Sequence, residues 1–148
     1  MTVKKTSTID PDENSLIFDG HLVAGYAKGT QVTISYSEDA FTEVVGNDGE
    51  VSRTKSNVRS ATVEVTVLQS SFTNDAFSDR HNEDLLNGNK VVQLSFKDNR
   101  GTTTLDGSGA YIKKFADVTI SDTTESRVWT IFVSYLEGKV GGNFNQIA

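Results

Sequence analysis

No cysteine occurs among the 148 residues, which excludes a disulfide framework, a thiolate zinc site, an Fe–S cluster and a cysteine nucleophile. The redox character of the compartment stays open. Histidine is nearly as scarce: His21 and His81 are too few for a three-histidine metal site and leave little room for imidazole-based catalysis. The longest nearly apolar run, residues 128–136, contains Thr130 and Ser134 and is less than half a membrane span. Near the amino end, Lys4 and Lys5 lead into Asp10, Asp12 and Glu13 instead of an apolar segment, so no secretory signal is expected. The expectation is a soluble chain with no membrane insertion. Basic excess is missing as well. With 14 Lys and Arg against 20 Asp and Glu, the formal net charge is −6, the opposite of the footprint that grips nucleic acid by its phosphates.

What is present points to strands. Leu, Ile, Val and Phe make up about 26% of the chain, above the level of disordered sequences. Val (16) and Thr (17) outnumber Ala and Leu (8 each) two to one, a bias toward side chains that fit a pleated sheet and away from the best helix formers. Pro11 is the single proline and leaves the strands free of ladder breakers. The length fits one domain, expected as a polar arm at 1–14, a single β domain at 15–136 and a glycine-containing tail at 137–148. No internal repeat with the period of a solenoid or propeller is found.

Along the chain, residues 15–23 form two short apolar runs about Asp19-Gly20, the dipeptide favoured by a two-residue type I′ hairpin turn. Val32 to Tyr36 alternates apolar and polar. Residues 41–45 pass through the glycine turn Gly46-Asn47-Asp48-Gly49 into residues 50–54. The clearest strand is Ala61–Leu68, with Ala61, Val63, Val65 and Val67 on one face and Thr62, Glu64 and Thr66 on the other.

Thr73–Asn87 reads as the one substantial helix. Thr73 or Asn74 serves as its cap, Phe77, His81 and Leu85 lie along one face, and Gly88 is the stop. Further strands are expected at 91–97, 102–105 and 109–113, with Gly107-Ser108-Gly109 as a flexible turn between the last two and a weaker strand at 118–120. The final strand, 127–136, places Trp129, Ile131, Val133 and Tyr135 on one face and Val128, Phe132 and Leu136 on the other, with both faces covered. His81 is expected as a hydrogen-bonded boundary residue and His21 as exposed.

The usual chemical signatures fail on inspection. Asp10, Asp12 and Asn14 match the start of a calcium loop, but Ser15 stands where glycine is needed and His21 where a bidentate glutamate is needed. Gly107-Ser108-Gly109 is followed by no GK[ST] and lacks the G-x-S-x-G spacing. Twenty carboxylates give no pair singled out for acid–base work. The chain is read as a non-enzyme without catalytic residues, cofactor or metal.

One feature of charge order stands out. Residues 38–50 hold Glu38, Asp39, Glu43, Asp48 and Glu50 with no base, while residues 51–60 hold Arg53, Lys55 and Arg59 with no acid. Two readings stand: an ordinary exposed hairpin, or segments that meet across copies, since complementary potentials fix register between partners more than they add affinity.

The run Glu38-Asp39-Ala40-Phe41-Thr42, then Val45 through Asn57 and Arg59-Ser60-Ala61-Thr62-Val63, resembles the tail tube proteins of contractile-tailed bacteriophages. So do Gly20-His21-Leu22-Val23-Ala24-Gly25-Tyr26-Ala27 and the helix start at residues 71–77. The resemblance spans about residues 18–135. It implies a mainly β, sandwich- or barrel-like fold with one flanking helix, whose strands join a shared ring barrel. Six copies would form a ring, and rings would stack into the inner tube of a virion tail assembled in the host cytoplasm. The implied partners are the sheath protein, the baseplate or initiator, and the tail terminator, with DNA passing through unbound.

On this expectation Thr62, Glu64 and Thr66 line the bore, and Asp48, Glu50, Arg53, Lys55 and Arg59 make contacts between rings. A barrel of about 24 strands at about 4.8 Å spacing has a circumference of roughly 115 Å and a backbone diameter of about 37 Å, wide enough for a duplex after about 10 Å is taken off for side chains. Two other readings are the inner tube of a related injection or secretion apparatus and a carbohydrate-binding β-sandwich, the latter requiring Trp129 and Tyr135 to be exposed.

Overall fold

The structure, a computed structural model, describes residues 8–89 and 91–143. The outer parts of the two terminal segments, 1–7 and 144–148, lie outside the described residues. Among the described residues nine strands and one α-helix follow in chain order: β1 Asn14–Phe18, β2 His21–Leu22, β3 Val32–Tyr36, β4 Phe41–Val45, β5 Val51–Lys55, β6 Ala61–Leu68, α1 Thr73–Asn87, β7 Val92–Asp98, β8 Thr104–Ile112 and β9 Ser126–Lys139. Seven strands form one antiparallel sheet in the order β2-β1-β7-β8-β9-β6-β3, and β4 and β5 pair only with each other. The fold is mainly β with a single helix, as expected.

The sheet folds over on itself, because one core draws on both of its ends: Leu16 and Phe18 from β1 pack in the same cluster as Val63 and Val65 from β6 and Ile131 and Val133 from β9. The segment after β2 returns to β6, where Ala27 N–H donates to Thr66 O at 3.1 Å and Leu68 N–H to Gly25 O at 2.8 Å. Alternation in β6 is complete, with the apolar residues at positions 61, 63, 65 and 67 fully buried and Leu68, at its end, on the outer face. The Asp19-Gly20 turn has positive φ at both residues, 49° and 79°, the geometry that a two-residue hairpin needs. Glu13, in the segment expected as a polar arm, accepts a backbone hydrogen bond from Asn99, so the inner end of the arm is tied to the domain.

α1 lies against the fold through Thr73, Asn74, Phe77 and His81. Gly88 ends it in the left-handed conformation. Three expectations about this helix need correction. Its N-cap is Phe72, with no side-chain cap bond; Ser71 Oγ instead accepts from Thr73 N–H at 3.1 Å. Leu85 projects into solvent, since the buried residues of the helix end at His81. His81 is buried edge-on against Phe115, ring centroids 4.6 Å apart, and its Nδ1 has no hydrogen-bond partner among the described residues.

Two strand assignments also change. Residues 107–109 are not a turn but the middle of β8, where Gly109 takes φ +65° and the register against β7 shifts. The bulge reverses inside and outside in both β8 and its partner, so Leu136 is buried and Tyr135 exposed. The far face of β9 is not fully covered either, since Val128 is exposed. Residues 118–120 form no strand. Glycine at 107 is demanded by space: a Cβ there would stand 2.5 Å from Val133 Cγ1. Gly107→Ala is expected to destabilise the fold by about 1–3 kcal/mol through overpacking, read as a lower denaturant midpoint at unchanged slope.

His21 is half-buried rather than exposed. Its Nε2 lies 3.1 Å from Thr73 Oγ1, and it neighbours Arg80, which pairs with Asp19 at 2.5 Å. Burial first and the Arg80 charge second hold its pKa below the ordinary 6.5. The unfolded chain therefore takes up this proton before the folded one, so His21 makes stability fall as pH drops below 6.5 toward the folded value and leaves it flat above. Denaturant midpoints at pH 7.5 and 5.5 should differ by less in His21→Gln than in the parent.

Candidate assembly surfaces

Three surfaces follow from this architecture. The first is the solvent side of the sheet. Antiparallel partners share a face, and the pairs Thr33↔Glu64, Glu64↔Thr130, Ser35↔Thr62, Thr62↔Phe132 and Thr66↔Val128 lay out a field of hydroxyls about Glu64. Thr62 and Thr66 are half-buried and Glu64 is exposed, so the three residues expected in a bore do share one outward face. The same side carries Asp106 and Glu137, both exposed and directly opposite each other across β8 and β9. A like-charge cross-strand pair works against sheet stability. Composition did not reveal Tyr111 and Phe132, whose rings meet at 5.5 Å on this side; the two-residue period alone would have placed them there.

The second surface is the β4–β5 hairpin, in which every residue is exposed. It continues β3 and β6 outward, but the register changes by one residue between Tyr36↔Ala61 and Phe41↔Lys55, so the distal part leaves the sheet. The acidic and basic segments lie side by side within one copy: Glu43 opposes Arg53, whose guanidinium sits 4.2 Å over the Phe41 ring. Asp48 and Glu50 are at the turn, where Asp48 Oδ1 accepts from Glu50 N–H at 3.3 Å, and Lys55 opposes Phe41. Arg59 is separate, at the hairpin root, where its carbonyl accepts from Leu136 N–H at 2.9 Å.

Charge order drew attention to this region, but it gave no warning of Val44, Val45 and Val51, which are 68%, 63% and 61% exposed. Two-stranded hairpins with no further cover are marginal in water. Four apolar side chains on such an element, counting Phe41, are an open surface.

The third surface is an open cleft of about 470 Å³ at the hairpin root, lined by Tyr36, Glu38, Asp39, Arg59 and Glu137 among others. Tyr36 Oη donates across it to Leu136 O at 3.0 Å, and Ser56 Oγ donates to Glu38. These bonds brace the root of the hairpin. Among the described residues, no group of three or more His, Asp or Glu side chains gathers to hold a metal, and no helix is long and apolar enough to cross a membrane. Trp129 is 3% exposed, with its indole N–H donating to Asn74 Oδ1 at 2.9 Å, so it cannot stack a sugar. The carbohydrate-binding reading fails on that residue.

No family model matches the chain. Its sequence is 25% identical over 147 residues to structural protein ORF10 of Pseudomonas phage KPP10, covering 94% of this chain and 85% of that protein. In fold it is similar to three solved structures. The cap that terminates the tube of the anti-feeding prophage superposes with a TM-score of 0.54 at 8% identity, covering 94% of this chain and 95% of the other. The sheath/tube terminator of the extracellular contractile injection system PVC, in its extended state, gives 0.53 at 12% identity over 91% and 99%. The extended sheath-tube complex of the same system gives 0.55 at 15% identity over 90% and 89%. The likeness is one of fold.

Proposed function

We propose that this chain is a structural subunit of a contractile phage tail, that six copies form a ring, and that rings stack into the inner tube through which DNA leaves the particle. The observation that carries this reading is the polar outer face of a continuous antiparallel sheet that ends in an open edge strand. Such a sheet can be extended strand by strand into a barrel shared among copies. Fold likeness to tube-associated components, and sequence likeness to a phage structural protein, support the same class.

On this reading the face bearing Thr62, Glu64 and Thr66 lines the bore. A ring of six multiplies the −6 of one chain sixfold, and repulsion between wall and phosphates shortens the residence of DNA on the wall. The exposed pair Asp106 and Glu137, costly for the sheet, fits a wall whose purpose is to repel. The fully exposed hairpin, with Asp48, Glu50, Arg53 and Lys55, reaches the neighbouring ring, and Arg59 stands at its root. Sheath, initiator and terminator proteins would meet the outer surface and the ends of the stack.

A second reading is that the chain caps a tube as a single ring, which the fold likeness to two tube terminators favours. Negative-stain microscopy of concentrated protein, alone and with the tail's initiating components, separates the two. Stacked tubes support a tube subunit, isolated annuli a cap, and a chain that stays monomeric under both conditions overturns both. A reconstructed ring with Glu64 pointing away from the bore would refute the lining.

A further inference from the structure

We infer that residues 118–120 are a strand awaiting its partner, and that the partner is the open edge of β3 in the adjacent copy of the same ring; this rests on the ring-forming function proposed above. Val118-Thr119-Ile120-Ser121 has the same sequence as Val32-Thr33-Ile34-Ser35. At 32–35 that tetrapeptide is most of a β-strand, paired with β6. At 118–121 it lies without regular structure. The difference is the neighbour and not the sequence, since β-propensity expresses itself through what the strand packs against.

In the second copy of the tetrapeptide only Ser121 is engaged, its hydroxyl donating to Thr123 O at 3.1 Å and to Glu125 at 2.7 Å. None of the backbone hydrogen bonds of the described residues involves 118–120. Val118 and Ile120 are 70% and 69% exposed. Residues 113–125 form a connection without a strand or helix, near the length of about 12–15 residues at which unstructured connections in compact domains become uncommon and usually functional.

Position makes the pairing possible. The β8–β9 ladder stops at Ile112↔Ile131, with one further bond from Lys113 N–H to Thr130 O at 3.1 Å. Beyond it, β6 still occupies one flank of β9 as far as Ser126. Residues 114, 117 and 119 border a groove with Ser126, Val128 and Thr130, which sets the segment along the other flank. At this end of the molecule the sheet therefore runs from the 118–120 segment through β9 and β6 to β3.

The far border, β3, is the last strand in the sheet order. It carries none of the lysine, proline or bulge by which exposed edges are normally guarded against pairing. One border offers an unguarded edge and the opposite border a segment of strand-forming sequence without backbone hydrogen bonds among the described residues. Contact between two different surfaces of the same chain is head-to-tail, and where its rotation closes, as the proposed six-fold ring requires, it makes a ring.

The test is amide hydrogen exchange of the full chain, free and assembled. Alternate amides within 118–120 and within 32–36 should slow together on assembly, on the order of a hundredfold, because they gain ladder partners. Since the chain has no cysteine, Thr33→Cys and Thr119→Cys variants can be mixed and oxidised, and a cross-linked heterodimer is expected beyond what either variant forms alone. A Val118→Asp/Ile120→Asp variant, altering only exposed side chains, should keep the melting curve of the free chain and assemble at least tenfold less. Rings that form while 118–120 exchanges as in the free chain would overturn the inference and leave the proposed function standing. Protection at 118–120 without protection at 32–36 would overturn it too, by naming a different occupant. A chain that never assembles removes the function and the inference together.

Discussion

Trp129→Ala is expected to lower stability by about 3–5 kcal/mol, the range for removing a large aromatic from a packed core. Trp129 joins the sheet to the helix. Its ring meets Phe77 edge-on with centroids 5.6 Å apart and an interplanar angle of 83°, and Phe77 in turn meets Phe18 at 5.4 Å. The chain of rings runs from β9 through α1 to β1, so a cavity at 129 loosens both layers. The indole N–H also satisfies Asn74 Oδ1, while the Asn74 amide donates to Leu68 O at 2.9 Å and Ser71 O at 3.1 Å. Alanine thus leaves a buried acceptor unpaired at the point where the chain leaves β6 and enters the helix.

Trp129→Phe separates the two contributions. It keeps most of the packing and loses the hydrogen bond, at an expected cost of about 1–3 kcal/mol. Denaturant melts of the three proteins measure both steps. Because Trp129 is the single tryptophan, its emission reports this one site, and a blue-shifted maximum is expected in the folded parent. A loss for alanine no greater than that for phenylalanine would show that the cavity contributes nothing.

Most of the architecture was legible where local signals and burial agree. The alternation of residues 61–68 could be read because one face is core and the other is wet. The helix could be bounded because Gly88 supplies a left-handed stop. Reading failed where the physical cause lies in a partner strand.

Gly107-Ser108-Gly109 looks like a turn because glycines interrupt the period. The structure uses them to seat β8 against Val133 and to form a bulge. The reversal of Tyr135 and Leu136 follows from that bulge, and nothing in residues 126–139 announces it. Residues 118–120 have strand chemistry without a strand neighbour. For the candidate site, the five charged positions were visible as charge order, whereas the exposure of Val44, Val45 and Val51 depends on a hairpin that leaves the sheet, a matter of register rather than composition.

Charge reversal at the hairpin, Arg53→Glu with Lys55→Glu, is expected to abolish tubes while leaving the free chain folded. Both positions are exposed and lie outside the core, so the global melt should change little. Locally the reversal is not innocent. Arg53 opposes Glu43 and covers the Phe41 ring, and a glutamate there faces a like charge across the hairpin, which disfavours the pair by a fraction of a kcal/mol. Loss of tubes could then report a frayed hairpin instead of a lost contact between copies.

A charge swap distinguishes these causes. Glu43→Arg combined with Arg53→Glu restores opposite charges within the hairpin but exchanges the signs that a neighbouring copy meets. If the basic strand recognises acidic groups on the next ring, the swap fails to assemble as the double reversal does. Wild-type tubes should also form less readily as salt rises, since exposed charges are screened beyond about 8 Å at physiological ionic strength. If the swap assembles like the parent, the charges serve the hairpin alone, and register between rings must come from Phe41, Val44, Val45 and Val51. Microscopy of the two variants beside the parent, each with a melting curve, decides between complementary charge and apolar cover as the device that would stack the proposed rings.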